Sequence, residues 1–477
     1  MSNGTRARAL STLALALAWT TVSPRPARAI GDAPAGPPLQ PSVAPVSPAA
    51  VPSMTLKEAL AYARAHQPSL HGALARVEAA AADAQVARAQ WLPSFGATAQ
   101  VFEGTVNNST ASTLGVPEVD LPRIGGTPAG ASKSWRPSLS TLAAIGGGQE
   151  LFDFGRIAAQ AAVADVAYET ERHRADAERL RVDLLVREAY YGVQGARAVL
   201  RAAEDAYHRA GVHRDMAAAG VKSGMHAPIE LTRAEADLTR FEVGRVRAQG
   251  SVDAARAVFA AAVGVEGPML EAAGEGEALE EAPPIDSAIR RALDRDPTLD
   301  EARSRIRGGE ALARAIGAEM RPDLSLTATL SARDGTAANA DPYRYLPGVP
   351  NWDAGLVLRV PLYDPVVSAR RDAAAARVEA VRADLATLTQ QERAAVQRAY
   401  VALEVSRAAL VSLTRAVDAA HANYAQAEAR FKAGLGTSLE LADAEAVRTD
   451  AEIQLAIGRF EALRARAVLG RLTAEGL

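Results

Sequence analysis

The sequence predicts a mainly α-helical chain with a small β part, in which one unit of long helical hairpin plus two strands is laid out twice. Three observations carry this prediction. Two stretches of the 477 residues run in register with each other, each holds a long proline-free run with heptad spacing, and each holds short runs of alternating apolar and polar residues.

The duplication is read from matched positions. Pro68/Pro297, Leu70/Leu299, Arg76/Arg305, Trp91/Met320 and Pro93/Pro322 keep an offset of 229 residues, and Tyr190/Tyr400, Lys222/Lys432, Gly224/Gly434, Glu230/Glu440 and Leu231/Leu441 keep one of 210. The first repeat spans 54–265 and the second 284–477, joined by an acidic linker at 266–283.

Each repeat opens with a short helix (Thr55 to Ala65; Ile285 to Arg295), then a longer one ending near Trp91 or Met320, where Pro93 and Pro322 stop helical pattern. Period-two runs follow: Phe95, Ala97, Ala99 and Val101 in the first repeat, Leu324, Leu326, Ala328 and Leu330 in the second, with Trp352, Ala354, Leu356 and Leu358 marking its returning strand. The first returning strand, Ser134 to Gln149, is blurred by Gly146-Gly147-Gly148. Polar loops are expected over Asn107 to Lys133 and Asp334 to Pro350.

Long helices are then expected over Phe154 to Gly220 and Val366 to Phe431. Val186, Val193, Leu200 and Tyr207 recur every seven residues, with Ala189, Ala196, Ala203 and Ala210 three positions on; Val396, Leu403, Leu410, Val417, Tyr424 and Phe431 repeat the seam. Alanine along a seam lets helices approach closely, which suits many long helices packed side by side.

Composition narrows the function. Lys+Arg 53 against Asp+Glu 56 gives a formal charge of −3, which offers no electrostatic footprint for nucleic acid. Without cysteine there is no disulfide, thiolate metal site, thiol nucleophile or lipidated N-terminal cysteine. Arg6 and Arg8, the apolar stretch Leu10 to Val22 and Ala27-Arg28-Ala29 read as a secretory signal over 1–29. As a membrane anchor that stretch is too short, and Pro24 and Pro26 break it. Residues 30–53, rich in Pro and Ala, read as an extended linker.

Four strands cannot close a membrane barrel, since such barrels start at about eight. If they span a membrane, chains must combine; otherwise the strands form a soluble ribbon capping a coiled-coil rod.

The chain resembles the TolC-like outer-membrane efflux proteins. The resemblance is carried by Leu56-Lys57-Glu58-Ala59-Leu60 with Pro68, by Trp91-Leu92-Pro93-Ser94, by Leu151-Phe152-Asp153-Phe154-Gly155 and its counterpart Leu362-Tyr363-Asp364-Pro365, and by two turns. These are Lys222-Ser223-Gly224 with Glu230-Leu231, and Phe431-Lys432-Ala433-Gly434-Leu435-Gly436-Thr437 with Glu440-Leu441. It covers Thr55 to Gly470. The resemblance implies a homotrimer in which four strands per chain make a 12-stranded transmembrane β-barrel, continued by a periplasmic α-helical barrel. It also implies a passive outer-membrane duct for tripartite efflux or type I secretion, a non-lipidated member held by its barrel. Its partners would be a periplasmic adaptor, an inner-membrane transporter of RND, ABC or MFS type, and outer-membrane lipid. The competing reading is a secreted periplasmic coiled-coil scaffold without a pore.

Candidate site residues cluster at the turns. Gly224 and Gly434 suit helix-ending turns that need positive φ. By resemblance, Lys222, Ser223, Gly224, Lys432, Gly434, Leu435, Gly436 and Thr437 form adaptor-contact tips. Glu440 and Asp443, at i and i+3 on one helix face, match acidic positions at a periplasmic constriction, with Phe431 beside them where relatives carry tyrosine. Thr437 and Glu440 also fit a capping box, which needs no gate. Gly436 stands where some members place a gating arginine, so an arginine lock is not implied.

His208, His213 and His226 lack the i, i+4 spacing of a helical metal pair, and there is no Walker A, G-x-S-x-G or H-E-x-x-H run. Neither a cofactor nor an enzymatic reaction is expected, and an exported hydrolase finds no residues to support it.

Overall fold

A computed structural model describes residues 51–105, 137–267, 269–274, 278–335 and 351–475. The signal and nearly all of the N-terminal linker lie outside them, as do the loop expected over Asn107 to Lys133 and most of that before Pro350.

The first repeat runs β1 (Ser53–Met54), α1 (Leu56–His66), α2 (Pro68–Ala89), β2 (Ser94–Thr105), β3 (Pro137–Phe152), α3 (Arg156–Lys222) and α4 (Pro228–Val263). After β4 (Glu271–Ala272), the second runs α5 (Ile285–Arg295), α6 (Pro297–Ala318), β5 (Asp323–Gly335), β6 (Asn351–Arg359), α7 (Pro365–Lys432) and α8 (Ser438–Leu472). The expected element order holds in both halves. At 67 and 68 residues, α3 and α7 are each about 100 Å long. No described helix is both long and apolar enough to cross a membrane.

Local chemistry sets the boundaries. Thr55 sits just outside α1 as its N-cap: its Oγ1 accepts from Glu58 N–H while the Glu58 carboxylate accepts from Thr55 N–H at 2.9 Å. The two long helices start differently. Before α7, Asp364 Oδ1 accepts from Val366 N–H at 2.8 Å and Pro365 fills the first helical position. Before α3, the buried Asp153 accepts from Gly155 and Ile157 N–H, and Phe154 and Gly155 both take positive φ.

Three expectations are corrected. The strand expected to stop before Asp334 runs on to Gly335, because it pairs with β3 as far as Gly335 opposite Ser140. The acidic linker is not only a linker: Leu270 and Ala272 are fully buried against the first repeat's core. Ser53, assigned to the extended linker, instead pairs with Glu271 in the parallel β1–β4 clip.

The four longer strands form one antiparallel sheet in the order β2-β3-β5-β6. Opposite residues share a face. One face carries Phe95, Ala97, Ala99 and Val101, then Ile145, then Leu326, Ala328 and Leu330, then Trp352, Ala354, Leu356 and Leu358. The other carries Thr98, Thr327, Thr329, Ser331 and Asp353 among glycines 96, 146, 148 and 355. The apolar face is bare: Phe95 is 80% and Trp352 79% exposed. At Gly147 a Cβ would collide with the Phe95 ring lying across it, so the glycine that blurred the strand pattern makes room for an aromatic neighbour.

The helices make a wall in matching order. Near the sheet, α3 lies between α2 and α6, and α6 touches α7; beyond, α3 lies between α4 and α8, and α8 packs on α7. The seam is where the heptads place it, with Val186, Val193, Val396 and Leu403 fully buried. Three apolar clusters hold the wall: one around Phe259, Tyr190 and Leu60, a second around Val396, Leu403 and Leu469, and a third around Tyr424, Phe431 and Leu441 at the hairpin turns.

Candidate functional site

The candidate residues meet where the two hairpins turn. Both turns use the same backbone device. Gly224 and Gly434 take φ of 77° and 72°, and the N–H groups of Met225 and Leu435 each donate at 2.9 Å to a carbonyl five residues back, Gly220 and Arg430. Met225 and Leu435, then Ile229 and Leu439, occupy equivalent positions and are exposed, so each tip presents two apolar knobs beside an exposed lysine, Lys222 or Lys432. Ser223 Oγ turns inward to the Gly220 carbonyl at 3.0 Å. Gly436 lies against the Arg430 backbone, and Thr437 N-caps α8 through the Glu440 N–H at 3.2 Å.

Glu440 and Asp443 are both exposed on α8. The Glu440 carboxylate does not close the expected capping box; it lies 3.7 Å from the Arg430 guanidinium. In the first repeat Arg233 stands where Asp443 does and pairs with Glu230 at 3.4 Å, so the uncompensated acid belongs to the second hairpin alone. Phe431 takes a different place from the one expected. It is 2% exposed, packed with Tyr424 and Leu441, and its ring lies flat on His226 at 4.8 Å. A ring this buried in its own chain builds the tip rather than lining a passage.

Both repeats, residues 59–265 and 288–475, match the outer membrane efflux protein family. The chain belongs to the outer membrane efflux protein family. It is an outer-membrane exit duct with a helical periplasmic part, a transport protein and not an enzyme. Protein CyaE of Bordetella pertussis is 27% identical over 454 residues, covering 89% of this chain and 86% of its own. The fold is also that of the Campylobacter jejuni CmeC outer membrane channel (TM-score 0.70, 15% identity, 88% and 86% of the two chains covered). The open-state Neisseria gonorrhoeae MtrE outer membrane channel is similar (TM-score 0.68, 20% identity, 88% and 89% covered).

In this efflux-family chain the two tips are fastened to each other by groups the sequence motifs did not single out. The Glu230 carboxylate, at the start of α4, accepts from Ser438 N–H at 2.9 Å and from the Ser438 hydroxyl. These bonds hold Glu230 below the usual carboxylate range. The His226 ring fits over Gly220, where any Cβ would strike it. Deeper in, Arg209 of α3 grips Glu445 of α8 at 2.8 Å and approaches Glu452 at 3.5 Å, with Thr449 donating to Glu445 at 3.1 Å. Glu445 is 0% exposed, and burial pushes its carboxyl up despite the arginine. Beside it, His213 Nε2 and the Tyr424 hydroxyl lie 2.9 Å apart; burial holds His213 down to about 4 and pushes Tyr424 up to about 12. Glu230 and Glu440 are equivalent positions of the two repeats, and only Glu230 finds a partner across the hairpins.

Among the described residues no group of three or more His, Cys, Asp or Glu is placed to hold a metal ion.

Proposed function

We propose that three copies of the chain close a ring in which twelve strands form a transmembrane barrel and the helices continue it as a periplasmic tunnel. The observation that carries this is the open sheet: four strands, one bare apolar face, one polar face, and unpaired edges at β2 and β6. Open edges are not tolerated in lipid, so an apolar sheet face meant for the membrane needs further strands. A pore-free scaffold gives that face no use.

The internal repeat says how copies would join. Within the chain the first repeat meets the second through β3 on β5, α3 on α6 and α3 on α8. The equivalent surfaces, β6 with β2, α7 with α2 and α7 with α4, are the free flanks. Applying the same step again places α7 of one copy against α4 of the next. Val401 on α7 and Val258 on α4 are both exposed and each lie about 45 Å along their helices from the tips. Six such repeats, two per chain, give the heterologous, closed arrangement of a cyclic oligomer. Strands of 9 to 16 residues are long enough to cross a bilayer when tilted.

In this reading the exposed knobs Met225, Ile229, Leu435 and Leu439, with Lys222 and Lys432, receive the periplasmic adaptor, which brings the inner-membrane transporter. Glu440 and Asp443 of three copies put six carboxylates around the inner entrance. Single-channel recording in planar bilayers tests both parts. Wild-type protein is expected to conduct with cation preference, and Glu440→Gln with Asp443→Asn to lose most of that preference. Failure of the wild type to conduct refutes the duct geometry; unchanged selectivity in the double variant refutes the constriction.

A further inference from the structure

A cavity of about 230 Å³ lies at the level where the two repeats adjoin, bounded by α3, α8 and residues 278–280. Three guanidinium groups line it, from Arg187, Arg466 and Arg471. The carboxylates there are already engaged. Asp183 takes two hydrogen bonds from Arg64, and Glu280 and Glu475 both pair with Arg466, at 3.1 and 2.8 Å. Even so, the Arg466 Nε is buried without an acceptor among the described residues. Arg187 and Arg471 make no side-chain hydrogen bond or ion pair with any described residue, although both are half-buried.

Half-buried guanidinium groups without acceptors are costly unless something anionic meets them. The repeat shows that the fold does not require them. Arg466 has an architectural counterpart: Arg256, at the same offset of 210, pairs with Glu271 as Arg466 does with Glu475. At the positions equivalent to Arg187 and Arg471 the chain carries Gln397 and Ala261. The two arginines thus occur at only one of each pair of equivalent positions, around one cavity.

We propose that this cavity is a binding site for a phosphate-class oxyanion. Arg187 supplies a guanidinium with no ion-pair partner among the described residues, Arg471 supplies a second whose charge Glu392 partly offsets, and the Arg466 Nε is a donor without a described acceptor. Guanidinium forks match pairs of oxygens on such an anion. Because the walls come from α3 of the first repeat and α8 of the second, the bound anion would also tie the two repeats together. Such binding is independent of conduction.

The test is inorganic phosphate titrated into the full-length protein in detergent, against potassium chloride at matched ionic strength, followed by melting temperature and calorimetric heat. Wild type is expected to show a saturable rise of a few degrees and a one-site isotherm. Arg187→Gln with Arg471→Ala, which installs the residues of the other repeat, is expected to lose both while melting no lower than wild type without phosphate. Absence of a saturable phosphate effect in wild type, or the same effect in the variant, overturns the proposal. If the variant does not fold, Arg187→Gln alone is used, and at least a tenfold weaker phosphate affinity is required of it.

Discussion

The joint between the repeats inside one chain and the joint that each chain leaves open are built from equivalent positions, yet they are fastened differently. Inside, Arg209 holds Glu445, Glu230 caps Ser438, and His226 lies on Phe431. At the open flanks, the counterparts are Ala419 with Glu235, Glu440 with Pro228, and Gly436 with Val221. None can repeat the bond: alanine has no donor, proline has no N–H, and glycine has no ring. Apolar residues are also bare there. Val401 is 57% exposed, where its counterpart Tyr191 is 4% exposed within the first repeat's core. In the proposed ring the inner end is therefore clasped in hairpin pairs within chains, and these three fasteners are missing between them. The same difference frees Glu440, since the group it would cap is a proline.

The largest effect is expected at the buried pair. Arg209→Leu leaves Glu445 without its cation in a site with no exposure, a loss of about 3–5 kcal/mol at neutral pH in denaturant unfolding. Since burial already pushes the Glu445 carboxyl up, the loss should shrink as pH falls and the carboxyl takes a proton. Arg209→Leu combined with Glu445→Leu should recover most of it.

Acid should weaken the inner joint next. His213 is held down to about 4, so as pH falls from 6.5 the unfolded chain takes up a proton that the folded chain refuses, and stability drops until about pH 4. The full drop is about 3 kcal/mol, read by unfolding at stepped pH. His213→Gln should flatten that contribution. The equivalent position at the open flank is Asn423, which does not titrate.

The smallest effect is a gain. Ala419→Arg places a guanidinium where Glu235 of the next copy could meet it, supplying the missing fastener. A surface pair of this kind contributes about 0.2–1 kcal/mol, which should appear as a slightly raised temperature of oligomer dissociation.

Much of the fold was legible because its signals are local. Pro93 and Pro322 stop helices, heptads place Val186 and Val396 on a seam, and alternation from Phe95 or Leu324 marks strands. The glycines of the turns declared themselves for the same reason. The contacts that decide the site were not legible, since Arg209 and Glu445 are 236 residues apart and nothing in either segment names the other. Phe431 illustrates the limit of resemblance: its position in the turn suggested a constriction, whereas packing on His226 and Leu441 made it core. The β1–β4 clip was hidden by an acidic, Pro-containing stretch that reads as solvated, although Leu270 and Ala272 within it are buried.

The central claim is that the open flanks meet. The pairing of Ile145 with Leu330 between β3 and β5 predicts, one repeat on, Leu356 of β6 opposite Val101 of the next copy's β2. The chain has no cysteine, so Val101→Cys with Leu356→Cys carries the only two thiols. Treated with a short bismaleimide in native outer membranes, the double variant should give covalent dimers and then trimers as the end point, and each single variant should remain monomeric on denaturing gels. A double variant that stays monomeric while both thiols are labelled by a monofunctional maleimide would contradict the ring.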